Sequence, residues 1–276
     1  MNNCIDKNQQ EGDNAFVLNG INKLKSLRNE NINNPIFAYY NINSLRYKIH
    51  DIREIISRSL PDILVLAETK LDGSFPTSQF LINNYNEPTR SDRSEHGGGV
   101  IEYVRCGLIR KRLPDFELQN FESICSEITI KNNKWFLLSV YRSPNSGNIP
   151  NFFCEMNQTL NRALSRYDNV IIMGDLNIDL DDLKVSGFED LINFMALFDL
   201  KNIVKTKTCV TRGHESLIDI ILTNKSNYFM QTKTLELGVS DFHKMSLTVL
   251  KSQVARLKPK VIKYRSYKNF NEANFL

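Results

Sequence analysis

Apolar residues along this chain fall into two patterns. The first is a set of short continuous runs that end on a polar residue: "IFAYYN" from Ile36, "DILVLAE" from Asp62, "VIIMGDLN" from Val170, "SLIDIIL" from Ser216 and "KMSLTVLK" from Lys244. Runs of this length without helical periodicity read as buried strands. "GGGVIEYVR" from Gly97 reads as a glycine-rich turn into a strand, and "SICSEITIKNNKWFLLSVYR" from Ser123 as two strands around an Asn132-Asn133 turn. The second pattern has helical spacing. Leu45, Ile49, Ile52, Ile55, Ile56 and Leu60 predict a helix capped by Ser44 and ended by Pro61. Phe152, Phe153, Met156, Leu160 and Leu164 predict a second, ending near Tyr167-Asp168-Asn169, and "FEDLINFMALFDL" from Phe188 a third. Interspersed helices and strands that include a hairpin point to mixed sheets covered by helices, not to a purely parallel fold.

No Gly/Ser- or Pro-rich linker divides the 276 residues, so the pattern predicts one large domain over residues 35–250. A polar leader over 1–34 precedes it, with residues 1–15 expected to be disordered, and a basic connector over 251–276 follows. Hydrophobic residues at 41%, with 16 Phe and 10 Tyr, suffice for a globular core. The net charge of +4 is unevenly placed: residues 251–276 carry seven Lys/Arg against Glu272, which leaves −2 for residues 1–250. Any attraction of the body for a polyanion must therefore come from a local patch. The five cysteines (Cys4, Cys106, Cys125, Cys154, Cys209) form no CxxC pair. That argues against a disulfide framework and a zinc cluster, suits a reducing compartment, and reads them as small buried apolar residues. The polar N-terminus is not a signal peptide and no run reaches the ~20 apolar residues of a membrane span. The expected location is nuclear or cytoplasmic, with no membrane partner.

The candidate chemistry lies where the buried runs stop. "IFAYYNIN" delivers Asn41 and Asn43, "DILVLAE" delivers Glu68, "VIIMGDLN" delivers Asp175 and Asn177, and "SLIDIIL" carries Asp219 within an apolar strand. A buried acid is costly unless it is paired or bound to a cation. Taken singly, Glu68 reads as a loop acid and Asp175 as a turn residue, because Gly-Asp and Asn form turns. Asp219 resists that explanation, since "LIDIIL" offers no turn. Together they would project carboxylates and amides into one cleft, a donor set suited to a hard cation such as Mg²⁺.

In chain order these stretches resemble the endonuclease/exonuclease/phosphatase superfamily, which includes apurinic/apyrimidinic endonucleases, DNase I and the endonuclease domains of non-LTR retrotransposons. "YNINSLRYK", "LVLAETKL", "LLSVYRSPNSG", "VIIMGDLNID", "SLIDIIL" and "VSDFHKM" are similar to its successive motifs over roughly residues 35–250. "NINSLR", "YRSP" and "LTN" are closest in style to the retrotransposon enzymes. The resemblance implies an α/β fold: a four-layered sandwich of two packed mixed sheets flanked by helices. It implies a divalent-metal-dependent phosphodiesterase with Mg²⁺ (or Mn²⁺) as cofactor and the DNA backbone as partner, most simply a DNA-nicking endonuclease. In a full-length element, a reverse transcriptase would follow the basic segment. The alternatives are an inactive transposon-derived remnant that binds nucleic acid, and a relative acting on abasic DNA, RNA or a small phosphoester.

The roles implied by resemblance are these. Glu68 is the main metal ligand, with Asn43 nearby where the family often has Asp, and Asp241 approaches the metal or braces the site. Asn41 and Asn177 donate amide hydrogens to phosphate or to neighbouring ligands. Asp175 orients the attacking water, Tyr141 hydrogen-bonds the phosphate, and Asp219 fixes the tautomer of His243. Either Asp175 or His243 is the base. In the usual motif the His follows the Asp directly, whereas here Phe242 intervenes. The expectation is a bulge that packs Phe242 aside against apolar neighbours and keeps His243 within about 2.6–3.2 Å of Asp219.

Overall fold

The computed structural model describes residues 5–57, 61–145, 148–211 and 213–254, with side chains from Leu18 onward. One six-stranded sheet contains β1 (Ile36–Asn41), β2 (Ile63–Ala67), β3 (Thr89–Ser91), β4 (Val100–Val104), β13 (Phe229–Leu235) and β14 (Met245–Leu250), ordered β13-β14-β1-β2-β4-β3. The other contains β5 (Ile109–Arg112), β6 (Glu122–Ile130), β7 (Asn133–Tyr141), β8 (Asn169–Asp175), β9 (Lys201–Asn202) and β12 (Asp219–Thr223), ordered β5-β6-β7-β8-β12-β9. Each sheet has one parallel pair, β1 with β2 and β7 with β8, and is otherwise antiparallel. A two-stranded ribbon, β10 (Cys209–Thr211) with β11 (His214–Ser216), stands apart. The helices are α1 (Ile5–Glu30), α2 (Ile49–Ser57), α3 (Ile149–Leu164) and α4 (Phe188–Leu197).

The strand alternation builds the layers. On β1, Phe37 and Tyr39 face the other sheet while Ile36, Ala38 and Tyr40 face α1 and α2. On β8, Ile171 and Met173 face inward while Val170 and Ile172 pack with α3 and α4. Side chains two apart share a face, so continuous apolar runs arise because both faces of each central strand are buried. The result is helices, sheet, sheet, helices, as the motif pattern implied.

Several expectations are corrected. Residues 5–30 form a helix where a polar, partly disordered leader was expected, and its Leu24 and Leu27 are fully buried against the first sheet. Helix α2 starts at Ile49, not after Ser44, because Ser44 has φ 83° and its amide donates to the Glu68 carbonyl. Leu60 lies outside the described residues. The β6–β7 turn is Lys131-Asn132, one residue earlier than expected, with Lys131 at φ 56° and Ile130 paired to Asn133. That register keeps Ile128 and Trp135 opposite each other on the inter-sheet face. Cys106 and Cys154 are exposed, whereas Cys125 and Cys209 are buried. Of the basic connector 251–276, everything after Val254 lies outside the described residues. No described helix is long and apolar enough to cross a membrane.

Candidate active site

The two sheets present their polar strand ends to each other at one pole. On β7, β8 and β12 the inward-facing parity set by Leu137, Met173 and Ile221 continues to Tyr141, Asp175 and Asp219. Registers Tyr141↔Asp175 and Asp219↔Asp175 place these three in one row across the second sheet. On β1 the same parity brings Phe37 and Tyr39 forward to Asn41. Strand β2 ends at Ala67, and Glu68 then turns at φ 54°. A continued strand would have sent its side chain to the helix side. Asn43, Ser44, Lys70 and Asn177 also have positive φ. Such conformations are uncommon for non-glycine residues and gather where a site is held by its surroundings.

Three contacts cross the seam. Asn41 Nδ2 donates to Asp175 Oδ2 at 2.9 Å, the Tyr141 hydroxyl donates to Glu68 Oε1, and His243 Nδ1 lies 3.0 Å from Asp219 Oδ2. Asp175, Asp219 and His243 offer ligand atoms all within 4.8 Å of one another. Asp175 Oδ1 also accepts the Asn177 amide at 2.8 Å, and the Asp219 amide donates to Thr208 Oγ1 at 3.0 Å.

Burial, and then the Asp219 charge, push the Asp175 carboxyl up to about 7. Burial pulls His243 down, but hydrogen bonds to Asp219 and Cys209 and the charges of Asp219 and Asp175 outweigh it, raising His243 to about 11. The imidazole therefore keeps its proton through the neutral range and stands as a cation beside the Asp175 and Asp219 carboxyls. Burial, then the bond to Glu68, raises the Tyr141 hydroxyl, so it stays a donor.

A second cluster lies beside the first. Asn43 Oδ1 accepts from Lys70 Nζ at 2.6 Å, Glu68 Oε2 is 3.7 Å from the same ammonium, and Asn43 Nδ2 donates to Asp241 Oδ2 at 3.1 Å. Asp241 is mostly exposed and lies 3.7 Å from Lys48 Nζ. Asn43 and Glu68 thus already aim oxygens at one positive charge, and these oxygens without thiolates are donors for a hard cation.

The nine candidate residues are brought to one pole, but not in every expected orientation. Asn177 turns its amide nitrogen to the Arg142 carbonyl at 2.8 Å, and Tyr141 gives its proton to Glu68. Phe242 is 49% exposed, not packed against apolar neighbours. The extra residue is absorbed in a bend at 238–242, after which His243 bridges to Cys209. Facing His243 toward Asp219 leaves the preceding ring outside. Sequence reasoning missed Arg142, which is buried and grips the Leu176 and Asn177 carbonyls at 2.7 and 3.0 Å. It also missed Lys70 and Lys48, the latter donating to the carbonyls of Ile42 and Asn43 at 3.0 and 3.1 Å. The signal was present, since each lies within or beside a quoted motif.

Residues 38–241 match the model of the Endonuclease/Exonuclease/phosphatase family, and the chain belongs to that family. Among curated proteins it is similar to exodeoxyribonuclease III of Haemophilus influenzae, 23% identical over 159 residues. That match covers 54% of this chain and 60% of the relative, so it spans less than two thirds of that protein's length. Among solved structures, an AP endonuclease from Leishmania major aligns with TM-score 0.67 at 14% identity, covering 79% of this chain and 88% of that one. The endonuclease domain of TRAS1, a telomere-specific non-LTR retrotransposon, aligns at 0.65 with 13% identity, covering 80% and 100%. A 3'-5' exonuclease from Neisseria meningitidis aligns at 0.62 with 17% identity, covering 78% and 99%. These likenesses establish the fold shared with DNase I-like enzymes.

Proposed function

We propose that this chain is a divalent-metal-dependent phosphodiesterase that nicks DNA, of the kind found in non-LTR retrotransposons. The observation that carries the reading is the set of three cross-seam contacts, Asn41–Asp175, Tyr141–Glu68 and Asp219–His243. They join an acid raised to about 7, a cationic imidazole and an oxygen cluster at one pole. In-line hydrolysis of a phosphodiester needs a polarised phosphate, an oriented water and stabilised equatorial charge. Glu68 and Asn43, with Asp241 at the rim, would hold Mg²⁺ or Mn²⁺. That ion supplies polarisation of the phosphate and neutralises the leaving oxygen.

The chain's own groups do the rest. Asp175 accepts the proton of the attacking water, because its pKa near 7 lets it exchange protons at neutral pH. Asn41 holds that carboxylate through one oxygen. His243 presents positive charge to the equatorial oxygens, and Asp219 keeps its ring oriented and protonated. Tyr141, released from Glu68, donates to the phosphate. The retrotransposon reading rests on the sequence motifs and on the shared fold, and a following reverse transcriptase would fit the basic segment after Lys251.

Supercoiled plasmid incubated with the purified chain tests this. Open circles should form with Mg²⁺ and not with EDTA, and abasic and RNA substrates run alongside fix the substrate class. Absence of cleavage of all three with Mg²⁺ and Mn²⁺ would sink the catalytic reading.

A further inference from the structure

A cavity of about 430 Å³ opens beside the catalytic pole, between the β3–β4 loop and the segment entering β6. Arg93, Phe121 and Glu122 are among the residues lining it. Glu122 pairs in register with Tyr141 across β6 and β7, so the cavity abuts the row that carries the site. Arg93 stands with its guanidinium carbon 5.8 Å from the centroid of the Tyr141 ring, while the Tyr141 hydroxyl reaches Glu68. The order across the pole is therefore arginine, tyrosine, metal-site glutamate.

The backbone under Arg93 is shaped for it. Arg93 Nε donates to the Gly97 carbonyl at 3.0 Å and lies 3.1 Å from Glu122 Oε1, a buried oxygen with no hydrogen-bond partner among the described residues. A Cβ on Gly98 would come within 2.6 Å of the guanidinium carbon and 2.4 Å of Glu122 Oε1. One on Gly97 would come within 2.8 Å of Arg93 Nη2. Gly98 also has φ 73°, where a side chain is strained. The Gly98 carbonyl accepts the Lys70 amide at 2.9 Å, so the same loop braces the segment after Glu68. Glu122 and the Gly97 carbonyl hold the Nε edge of the fork. Neither Nη atom bonds to protein among the described residues. A guanidinium fixed on one edge and open on the other matches the two oxygens of a phosphate. The wall acid Asp92 is already paired with Arg90 at 2.6 Å, and Glu122 is balanced by Arg93 itself.

We propose that Arg93 binds a nucleic-acid backbone phosphate adjacent to the reacting one, with the flanking nucleotide lying in the Arg93–Glu122 cavity. This rests on the phosphodiesterase reading above. It makes Arg93 a substrate-positioning residue that reads a polynucleotide and not an isolated phosphodiester.

The test uses the full chain as wild type, Arg93→Ala, Arg93→Gln and Arg93→Lys. Binding of a duplex oligonucleotide in EDTA is followed against salt concentration. Arg93→Ala and Arg93→Gln should each flatten the slope by about one unit, and Arg93→Lys by less. With Mg²⁺, KM for the oligonucleotide should rise about tenfold in Arg93→Ala with far less change in kcat, as expected for lost uniform binding. The p-nitrophenyl ester of thymidine 5'-phosphate has one diester and no neighbouring phosphate, and its kcat/KM should fall much less. An unchanged salt slope, or equal losses on both substrates, would overturn the proposal and leave Arg93 a brace of the glycine loop. If the wild type cleaves neither substrate, the phosphodiesterase reading fails, and the salt slope alone still decides whether Arg93 contacts the backbone.

Discussion

In the mechanism proposed above, Asp175 and His243 carry opposite requirements that pH can separate. Asp175 must lose its proton to act as base, and its pKa stands near 7. His243 must keep its proton, and its pKa stands near 11. Activity should therefore rise about tenfold per pH unit up to about 7, then stay level to about pH 10. A kcat/KM profile that kept rising above pH 7, toward the pKa of His243, would show His243 acting as the base. For stability the signs also follow. Both folded pKa values are raised, so the His243 contribution is complete below its ordinary 6.5 and is lost as pH rises through about 11. That of Asp175 is complete below 3.8 and is lost as pH rises through about 7. Asp219→Asn and His243→Ala should each cut activity by two orders of magnitude or more. The double mutant should lose little beyond either, because the pair acts as a unit, and additive losses in a double-mutant cycle would separate them. Asp175 and Asp219 were legible because an acid at the end of or within a buried apolar run is energetically odd, whereas His243 came from the family resemblance of "VSDFHKM". Their partners were not. That Asn177 turns to the Arg142 carbonyl beside it in the same sheet, and Tyr141 across the seam to Glu68, depends on side-chain rotation, which no periodicity encodes.

The elements divide the same way. Strands β1, β2, β7, β8, β12 and β14 were readable because both faces are buried over most of their length and apolar residues dominate the run. The short strands β3, β5 and β9 to β11 were not, since β5 exposes three of its four residues and the others span three or fewer. Helix α1 escaped because its sequence "NKLKSLRNE" shows a two-leucine stripe among charges. Its anchorage is partly ionic. Arg28 Nη2 meets Asp62 Oδ2 at 2.6 Å, and Arg105 Nε meets Asp62 Oδ1 at 2.6 Å, with Asp62 fully buried. Arg28 also donates to the Asn31 and Asn34 carbonyls, tying the helix end to the approach into β1. Gly20 lets α1 pass the first sheet closely, since a Cβ there would lie 1.9 Å from the Glu236 carbonyl oxygen. Arg28→Ala leaves Asp62 with one of its two arginines and should destabilise the chain by about 3 kcal/mol. Urea denaturation would show this as a lower midpoint at unchanged slope. A loss under 0.5 kcal/mol would mean that Arg105 alone neutralises Asp62 and that α1 is held by its leucines.

At the scale of the whole molecule, the candidate catalytic pole is also the seam between two halves. Apolar packing joins the sheets through most of their area, but at this pole the joints are polar: Asn41 to Asp175, Glu68 to Tyr141 and His243 to Asp219. A cation held by Glu68 and Asn43 would bind only while β1 and β2 keep their places, and Tyr141 ties that cluster to the second sheet. Such a ligand binds the folded state and not the unfolded chain, so it should stabilise the fold by mass action, about 2.7 kcal/mol at a hundredfold excess over Kd. For a chain of this size that is a rise of several degrees in Tm. Glu68→Gln keeps the shape of the side chain but removes its charge, and should abolish both cleavage and the Mg²⁺-dependent rise while leaving the metal-free Tm close to wild type. Thermal melts of both proteins with Mg²⁺ and with EDTA make the comparison without any substrate. An equal rise in Glu68→Gln would place the cation elsewhere, and cleavage by the variant at limiting Mg²⁺ as fast as wild type would remove Glu68 from the site.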